Sequence, residues 1–258
     1  MRDFHKLLPD LVNLADQAGE AIMKIYLTDF KAEIKEDNSP VTEADIAAEA
    51  IILKGLAALT PDIPAIAEEQ MAAGTAPKLD GDLYWLVDPL DGTKEFLNRN
   101  DEFTVNIGLV DGNRAILGIV FAPALKTSYW GAVSQGALCR GPNGTKKITV
   151  RKTPPEGITV IGSRRHGKGY ELGEFLKNYT VNGNLTAGSS LKFCLVAAGK
   201  ADIYPRFGPT SEWDTAAGHA ILEAAGGQVT NLDGSPFLYR KSEFRNSNFI
   251  AWGGPRPI

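Results

Sequence analysis

Leu83-Tyr-Trp-Leu-Val87 runs straight into Asp88-Pro-Leu-Asp91-Gly-Thr-Lys-Glu-Phe96. The first segment reads as a strand and the second as a tight acidic turn that closes it. Proline fixes its own φ, and Gly92 can take backbone angles denied to other residues, so the turn is rigid. Asp88 and Asp91 can then face one cation, with the carbonyl of Leu90 between them as a third oxygen. The amides of Gly92 and Thr93 are left to hydrogen-bond an anion. Standing alone, an Asp-x-x-Asp beside a glycine is more simply a solvated turn.

Two further acidic clusters reverse that reading. Glu68-Glu69 follows the short apolar stretch Ile63-Pro-Ala-Ile-Ala67, a second strand that ends in carboxylates. Asp214 sits in Ser211-Glu-Trp-Asp-Thr-Ala-Ala-Gly218, where a polar cap precedes a small-residue helix. Three acidic clusters at the ends of separate elements are how an all-oxygen Mg²⁺ site is assembled from distant parts of a chain.

A chain of 258 residues with 43% hydrophobic and 22% charged residues is an ordinary soluble globular composition, long enough for one large domain or two abutting ones. The net charge of −4, without a long basic run, argues against a general nucleic-acid binder. Cys139 and Cys194 lack metal or redox spacing and read as reduced structural thiols. No stretch approaches a membrane span, and the N-terminus has no leader-like apolar run, so the expected location is the cytoplasm.

Phe4, Leu7, Leu8, Leu11, Leu14, Ala15, Ala18, Ile22 and Ile25 predict an amphipathic first helix, properly begun at Pro9. After a strand-like piece near Phe30 to Lys35, Thr42 caps a second helix whose buried face is expected to carry Ile46, Ala47, Ala50, Ile51 and Leu56. From Pro64 to about Val150 the pattern is β, with runs at Leu83 to Val87, Phe103 to Val110, Ala115 to Ala122 and Thr127 to Ala132. Turns at Asp111-Gly-Asn113 and Gly141-Pro-Asn-Gly144 imply a largely antiparallel sheet flanked by the first two helices. Beyond Arg151-Lys-Thr-Pro-Pro155, short strands at Ile158 to Ile161, Leu185 to Ala187, Ala201 to Tyr204 and Gln228 to Thr230 alternate with helices near Tyr170 to Asn178, Ser190 to Ala198 and Glu212 to Ala225. The expected division is an α+β half over residues 1–154 and an α/β half over residues 155–258, with Asp214 crossing to the acids of the first half.

The turn Asp88-Pro-Leu-Asp-Gly-Thr93, with Glu68 twenty positions before it and Trp213-Asp214 far downstream, resembles the inositol monophosphatase superfamily of Mg²⁺-dependent, lithium-sensitive phosphatases. Thr93-Lys-Glu-Phe96 and Asn100-Asp-Glu-Phe-Thr-Val-Asn106 are similar to the bacterial 3'(2'),5'-bisphosphate nucleotidases within it. The resemblance spans about residue 10 to about residue 252. It implies an α+β and α/β chain folded as the layered αβαβα sandwich of the inositol monophosphatase and sugar phosphatase type. The implied activity is removal of the 3'-phosphate from adenosine 3',5'-bisphosphate to give AMP, extending to 3'-phosphoadenosine 5'-phosphosulfate, with a place in sulfur assimilation and nucleotide recycling. An inositol or sugar phosphatase is the nearest alternative, and a non-catalytic phosphometabolite-binding protein a remote one. The partner is a small nucleotide bisphosphate; neither nucleic acid nor an integral membrane segment is expected. A homodimer and a peripheral position on the inner membrane are compatible with the resemblance and are not determined by the sequence.

On the same resemblance Glu68, Asp88, Asp91, Asp214 and the carbonyl of Leu90 are the Mg²⁺ ligands, and Glu69 either supports them or holds a weaker third ion. Asp45 reads from the sequence as a helix-capping acid. The resemblance instead pairs it with Thr93 to orient and deprotonate the attacking water. Gly92 and Thr93 meet the scissile phosphate, while Gly188-Ser-Ser-Leu-Lys192 resembles the turn and lysine that hold nucleotide phosphate. A helix N-terminus and the Lys192 charge both suit an anion. Ser163-Arg-Arg-His166 resembles the segment on the adenosine side, so Ser163 and His166 are candidate contacts; Arg164 and Arg165 read equally as a solvated loop. Lys94 and Glu95 are expected to face solvent, Trp85 and Trp213 to be core packing, and His5 and His219 to be structural.

Overall fold

The computed structural model describes residues 4–30, 32–34, 40–164 and 170–254. A 3-10 turn, Phe4–Leu7, leads into α1 (Leu8–Tyr26); β1 (Ala32–Ile34) pairs antiparallel with β2 (Pro40–Thr42), and α2 (Glu43–Leu59) follows. Next come β3 (Ala65–Ala67), α3 (Glu68–Ala72), β4 (Leu83–Asp91), α4 (Thr93–Leu97) and β5 (Thr104–Asp111). A meander continues through β6 (Arg114–Ala122), β7 (Thr127–Ala132), β8 (Gly136–Gly141) and β9 (Gly144–Ile148). The rest alternates between β10 (Ile158–Gly162), α5 (Tyr170–Leu176), β11 (Val181–Thr186), α6 (Leu191–Ala197), β12 (Ile203–Arg206), α7 (Ala216–Ala224), β13 (Gln228–Asn231) and β14 (Phe249–Trp252).

Seven strands form one sheet in the order β3-β4-β5-β6-β7-β8-β9, antiparallel apart from the β3 and β4 pair. Both faces of this sheet are covered. Trp85 and Val87 pack with Ile107, Leu117 and the buried faces of α1 and α2, whereas Tyr84 and Leu86 pack on the opposite side with α6 and α7. Burial on both faces explains why Leu83 to Val87 reads as an unbroken apolar run instead of an alternating one. The second sheet has the order β11-β10-β12-β14-β13. Ile161, Tyr204 and Phe249 face α6 and α7; Ile158, Val160, Ile203 and Trp252 face Phe175 and Leu176 of α5. The layers are therefore helix, sheet, helix, sheet, helix, the expected αβαβα sandwich.

Two expectations are corrected. In α2 the buried side is Ala44, Asp45, Ala48, Glu49, Ile52 and Leu56, while Ile46 is 60% exposed and Ala50 faces solvent. Two acids occupy positions that an apolar pattern would give to Ile46 and Ala50, because this face of α2 looks towards the acidic clusters. The last helix begins at Ala216 rather than Glu212; Ser211 to Thr215 form the turn before it. Strands β8, β9 and β14 were not foreseen, and β14 turns out to bind β12 and β13 together.

Gly108, Gly118 and Gly131 are neighbours in register across β5, β6 and β7. A Cβ at Gly108 would lie 2.8 Å from Ala217 N, one at Gly118 2.1 Å from Ala217 O, and one at Gly131 2.9 Å from Ala224 Cβ. This glycine stripe lets the backbone of α7 rest on the sheet itself. Gly118→Ala is expected to destabilise the protein by at least about 2 kcal/mol through overpacking against backbone. Gly173→Ala in α5, where a Cβ meets nothing within 4 Å, should stabilise by about 0.5–1 kcal/mol. Urea unfolding of the two variants checks this, and similar small effects at both positions would refute the close-approach argument.

Candidate metal centre and active-site cleft

At the end of β4 the pairing register with β5 slips between Asp88 and Asp91, opposite Asn106 and Thr104. Pro89 and Leu90 bulge out, and Leu90 N donates to Asp88 Oδ1 at 3.0 Å. Gly92 has φ +90, so the chain can reverse into α4 only with glycine there. Thr93 Oγ1 turns back to Leu90 O at 3.4 Å.

Glu68 is delivered differently. β3 ends at Ala67 and α3 begins at once with Glu68. The buried carboxylate of Glu49 accepts from Glu69 N at 2.8 Å and Gln70 N at 3.0 Å, fixing the first turn of α3. Asp214 comes from the turn before α7, where its Oδ2 accepts from Ser211 N at 2.8 Å. The fully buried Glu212 pins that turn from behind by accepting from Arg240 N and Lys241 N, both at 2.9 Å.

One carboxylate oxygen each from Glu68, Asp88 and Asp214 lies within 4.8 Å of the others. Burial pushes Asp88 well above the usual carboxylate range, and the charges of Glu68, Asp91 and Asp214 push it further. Asp214 is raised in the same way, by burial and then by Asp91 and Glu68. Buried like charges must be protonated or neutralised by a cation, and this all-oxygen donor set fits a hard divalent ion. Asp91 stands beside this trio, with Oδ2 3.3 Å from Asn106 Nδ2 and 2.9 Å from Ser190 Oγ. Ser190 Oγ also accepts from Asn106 Nδ2 at 2.9 Å and lies 2.8 Å from Asp214 O. A single hydroxyl thus ties the acidic turn to the Asp214 loop.

Asp45 is buried beside the same cluster, where its Oδ2 accepts from Thr42 N at 2.8 Å and Thr42 Oγ1 at 2.7 Å. The capping role read from the sequence is therefore real. No hydrogen bond joins Asp45 to Thr93 among the described residues. Burial raises Asp45 to about 7 against two opposing Thr42 hydrogen bonds, and the charges of Glu69 and Glu68 add to the rise. Burial raises Glu49 to about 7 as well.

Beside the acids opens a cleft walled by Asp91, Gly92, Ser163, Ser189, Lys192 and Arg206. Lys192 is 4% exposed, and its Nζ donates to Ser189 O at 2.5 Å and Ala187 O at 3.4 Å. Burial lowers it to about 8, so it remains a cation at neutral pH. Gly188 N donates to Glu102 Oε2 at 2.7 Å, and Glu102 is ion-paired with Arg164, Nη2 to Oε1 2.8 Å. Glu102 thereby ties the exposed Arg164 to Gly188 of the cleft wall, while Arg165 and His166 lie outside the described residues. Glu95 lines the cleft half-buried instead of facing solvent; Lys94 is exposed as expected. Trp85 and Trp213 are buried, and His219 is a buried structural residue bonded to Tyr239 and Glu223.

Sequence reading missed Glu49, Glu102, Asn106, Ser190 and Arg206. Glu49 had a signal, since it lies four residues after Asp45 on one helix face. Arg206 had another, at the C-terminal end of a strand in a partly parallel sheet, where ligands gather. The other three depend on partners brought together by the fold.

Fold and site together define a metal-dependent phosphatase acting on a small molecule. The family model described as the inositol monophosphatase family matches residues 3–254, and the chain belongs to that family. The 3'(2'),5'-bisphosphate nucleotidase CysQ of Escherichia coli O6:H1 is 47% identical over 247 residues, covering 94% of this chain and 98% of that protein. CysQ of Buchnera aphidicola is 43% identical over 257 residues, covering 96% and 94%. The crystal structure of CysQ from Bacteroides thetaiotaomicron superposes with TM-score 0.82 at 34% identity, covering 97% of this chain and 98% of that one. An inositol monophosphatase from Anabaena superposes with TM-score 0.72 at 26% identity, covering 96% and 92%. Among the described residues no helix is long and apolar enough to cross a membrane.

The raised Asp45 gives a pH prediction for the metal-free protein. An acid whose folded pKa exceeds its unfolded value of about 3.9 stabilises the fold fully below that value. The contribution is lost as pH rises through the folded value of about 7. Urea unfolding in chelator should show stability falling over this window, and Asp45→Asn should flatten the slope by up to about 1.4 kcal/mol per pH unit. An unchanged slope in the variant would show that the Asp45 carboxyl is not desolvated.

Proposed function

We propose that this chain is a Mg²⁺-dependent 3'(2'),5'-bisphosphate nucleotidase of the cytoplasm. It removes the 3'-phosphate of adenosine 3',5'-bisphosphate, and that of 3'-phosphoadenosine 5'-phosphosulfate, in sulfur assimilation and nucleotide recycling. The observation that carries this reading is the placement of an acidic trio, Asp88 buried and Glu68 and Asp214 half-buried, directly beside a cleft with Lys192 and Arg206 in its wall. One side suits a cation and the other an additional anion, a pairing that a neutral polyol would leave half used.

Glu68, Asp88 and Asp214 would hold Mg²⁺ with Asp91 and the carbonyl of Leu90, and Glu69 is assigned to support or to a weaker further ion. When bound, Mg²⁺ neutralises charge on the phosphoryl oxygens and on the departing oxygen. The amides of Gly92 and Thr93 orient the scissile phosphate. Asp45 and Thr93 align the attacking water, and Asp45 accepts its proton. Water's oxygen bonds to phosphorus, the ester P–O bond breaks, and the 3' oxygen leaves to be protonated as the hydroxyl of AMP. Ser190 and Asn106 keep Asp91 turned towards the trio. Gly188, Ser163 and Lys192 shape the nucleotide side.

Phosphate release with Mg²⁺ should favour adenosine 3',5'-bisphosphate over inositol 1-phosphate by at least tenfold in kcat/KM, cease in chelator, and be inhibited by lithium. Asp45→Asn should lower kcat by about 10²–10⁴ with the fold intact. A preference for the inositol ester would replace the nucleotidase reading with a polyol phosphatase one. Near-native kcat for Asp45→Asn at saturating Mg²⁺ would remove Asp45 from the chemistry.

A further inference from the structure

Arg99 and Asp101, in the loop between α4 and β5, both sit in the left-handed region, with φ +54 and +64. Neither is glycine, and a conformation of this kind persists only where the surroundings impose it. They do so here. The Arg99 guanidinium donates to Tyr26 O and, at 2.6 Å, to Thr28 O at the end of α1, and it lies over the rings of Tyr26 and Phe30. Tyr26 Oη donates to Asp101 Oδ1 at 2.8 Å. Phe103, fully buried, packs edge-on against Tyr26 and Phe96. The braced loop delivers Glu102. Its Oε2 accepts from Gly188 N at 2.7 Å, and both its oxygens accept from the Arg164 guanidinium, Nη2 to Oε1 at 2.8 Å. Burial would raise this acid, but the hydrogen bonds from Arg164 and Gly188 outweigh it and hold the carboxyl below the ordinary range.

The 188–190 turn rests on the same loop. A Cβ at Gly188 would lie 2.6 Å from Glu102 O and 2.8 Å from Glu95 Cγ, so only glycine lets the two backbones meet. Ser189 is itself left-handed, φ +44. Two residues on from Gly188, Ser190 Oγ bridges Asp91 Oδ2, at 2.9 Å, and Asp214 O, at 2.8 Å. The turn is therefore clamped at both ends, and a shift at Gly188 carries the Ser190 hydroxyl away from the acids. We propose that Glu102 is a positioning residue for the metal centre: by holding Gly188 N it sets the Ser190 hydroxyl where Asp91 and the Asp214 turn are brought together. This rests on the reading of the acidic trio as a divalent-cation site. The Arg164 side chain is 46% exposed and its ion pair is screened by solvent, so the hydrogen bond to Gly188 N does the positioning.

The test measures Mn²⁺ binding by calorimetry in wild type, Glu102→Ala, Glu102→Gln, Arg164→Met and Gly188→Ala, with urea unfolding of each. Glu102→Ala should weaken Mn²⁺ about fivefold or more, the worth of one charge-assisted hydrogen bond. Glu102→Gln, whose amide oxygen still accepts from Gly188 N, and Arg164→Met should stay within about twofold of wild type. Gly188→Ala drives a methyl against Glu102 O with the carboxylate intact, and should weaken Mn²⁺ as much as Glu102→Ala. With Mg²⁺, Glu102→Ala should lose kcat/KM equally on adenosine 3',5'-bisphosphate and on p-nitrophenyl phosphate, because the fault lies at the centre both share. Mn²⁺ binding at wild-type strength in Glu102→Ala, or in Gly188→Ala should Glu102→Ala not fold, would overturn the proposal. So would an Arg164→Met or Glu102→Gln as weak as Glu102→Ala, which puts the effect in the ion pair, or a loss confined to the KM of the nucleotide. A wild type that binds no Mn²⁺ would overturn the metal-centre reading itself and is recognised before any variant is made.

Discussion

The site depends on how closely α7 can approach the seven-stranded sheet. Asp214 is two residues before α7, whereas Glu68 and Asp88 stand at the ends of β3 and β4. Side chains along β5, β6 and β7 at these positions would hold the helix away, since a Cβ at Gly118 would already lie 2.1 Å from Ala217 O. The glycine stripe removes that spacing at the point where α7 crosses. Gly218 does the same on the other side of the helix, where a Cβ would lie 2.7 Å from Phe193 Cβ and force α6 away. The metal centre is thus a consequence of packing that brings a third acid up to two already fixed by strand ends.

What packing brings together, electrostatics pushes apart. Two unit charges at the 4.8 Å limit of the acidic trio repel by about 3 kcal/mol at an effective dielectric of about 20. The fold restrains each acid separately. Glu49 holds the start of α3, the Leu90 amide holds Asp88, and Glu212 and Ser211 hold the Asp214 turn. These restraints keep the carboxylates converging without relying on one another. Preorganisation of this kind shifts the cost of assembling the charges from the moment of binding to the moment of folding.

Much of this was legible in the sequence because its signals are local. The proline and glycine of Asp88 to Thr93 define a turn by their own backbone limits, and an apolar run ending in acid marks both Val87 and Ala67. The face of α2 was misread because Ile46 is apolar yet exposed, while Asp45 and Glu49 are charged yet buried. Periodicity weighs hydrophobicity and cannot see that a buried acid is wanted by a neighbouring element. Phe249 to Trp252 escaped notice as a strand because four apolar residues near a terminus carry no length or alternation signal. Ser190, Asn106 and Glu102 acquire meaning only through contacts across the fold, 84 positions apart for Ser190 and Asn106.

The central claim is that Glu68, Asp88 and Asp214 converge on a divalent ion. It is tested most directly by anomalous X-ray diffraction from crystals grown with Mn²⁺ in place of Mg²⁺. The account predicts a peak bonded to oxygens of all three residues, at about 2.0–2.3 Å. A strong peak elsewhere, or none with the three carboxylates occupying their places at saturating Mn²⁺, would contradict it.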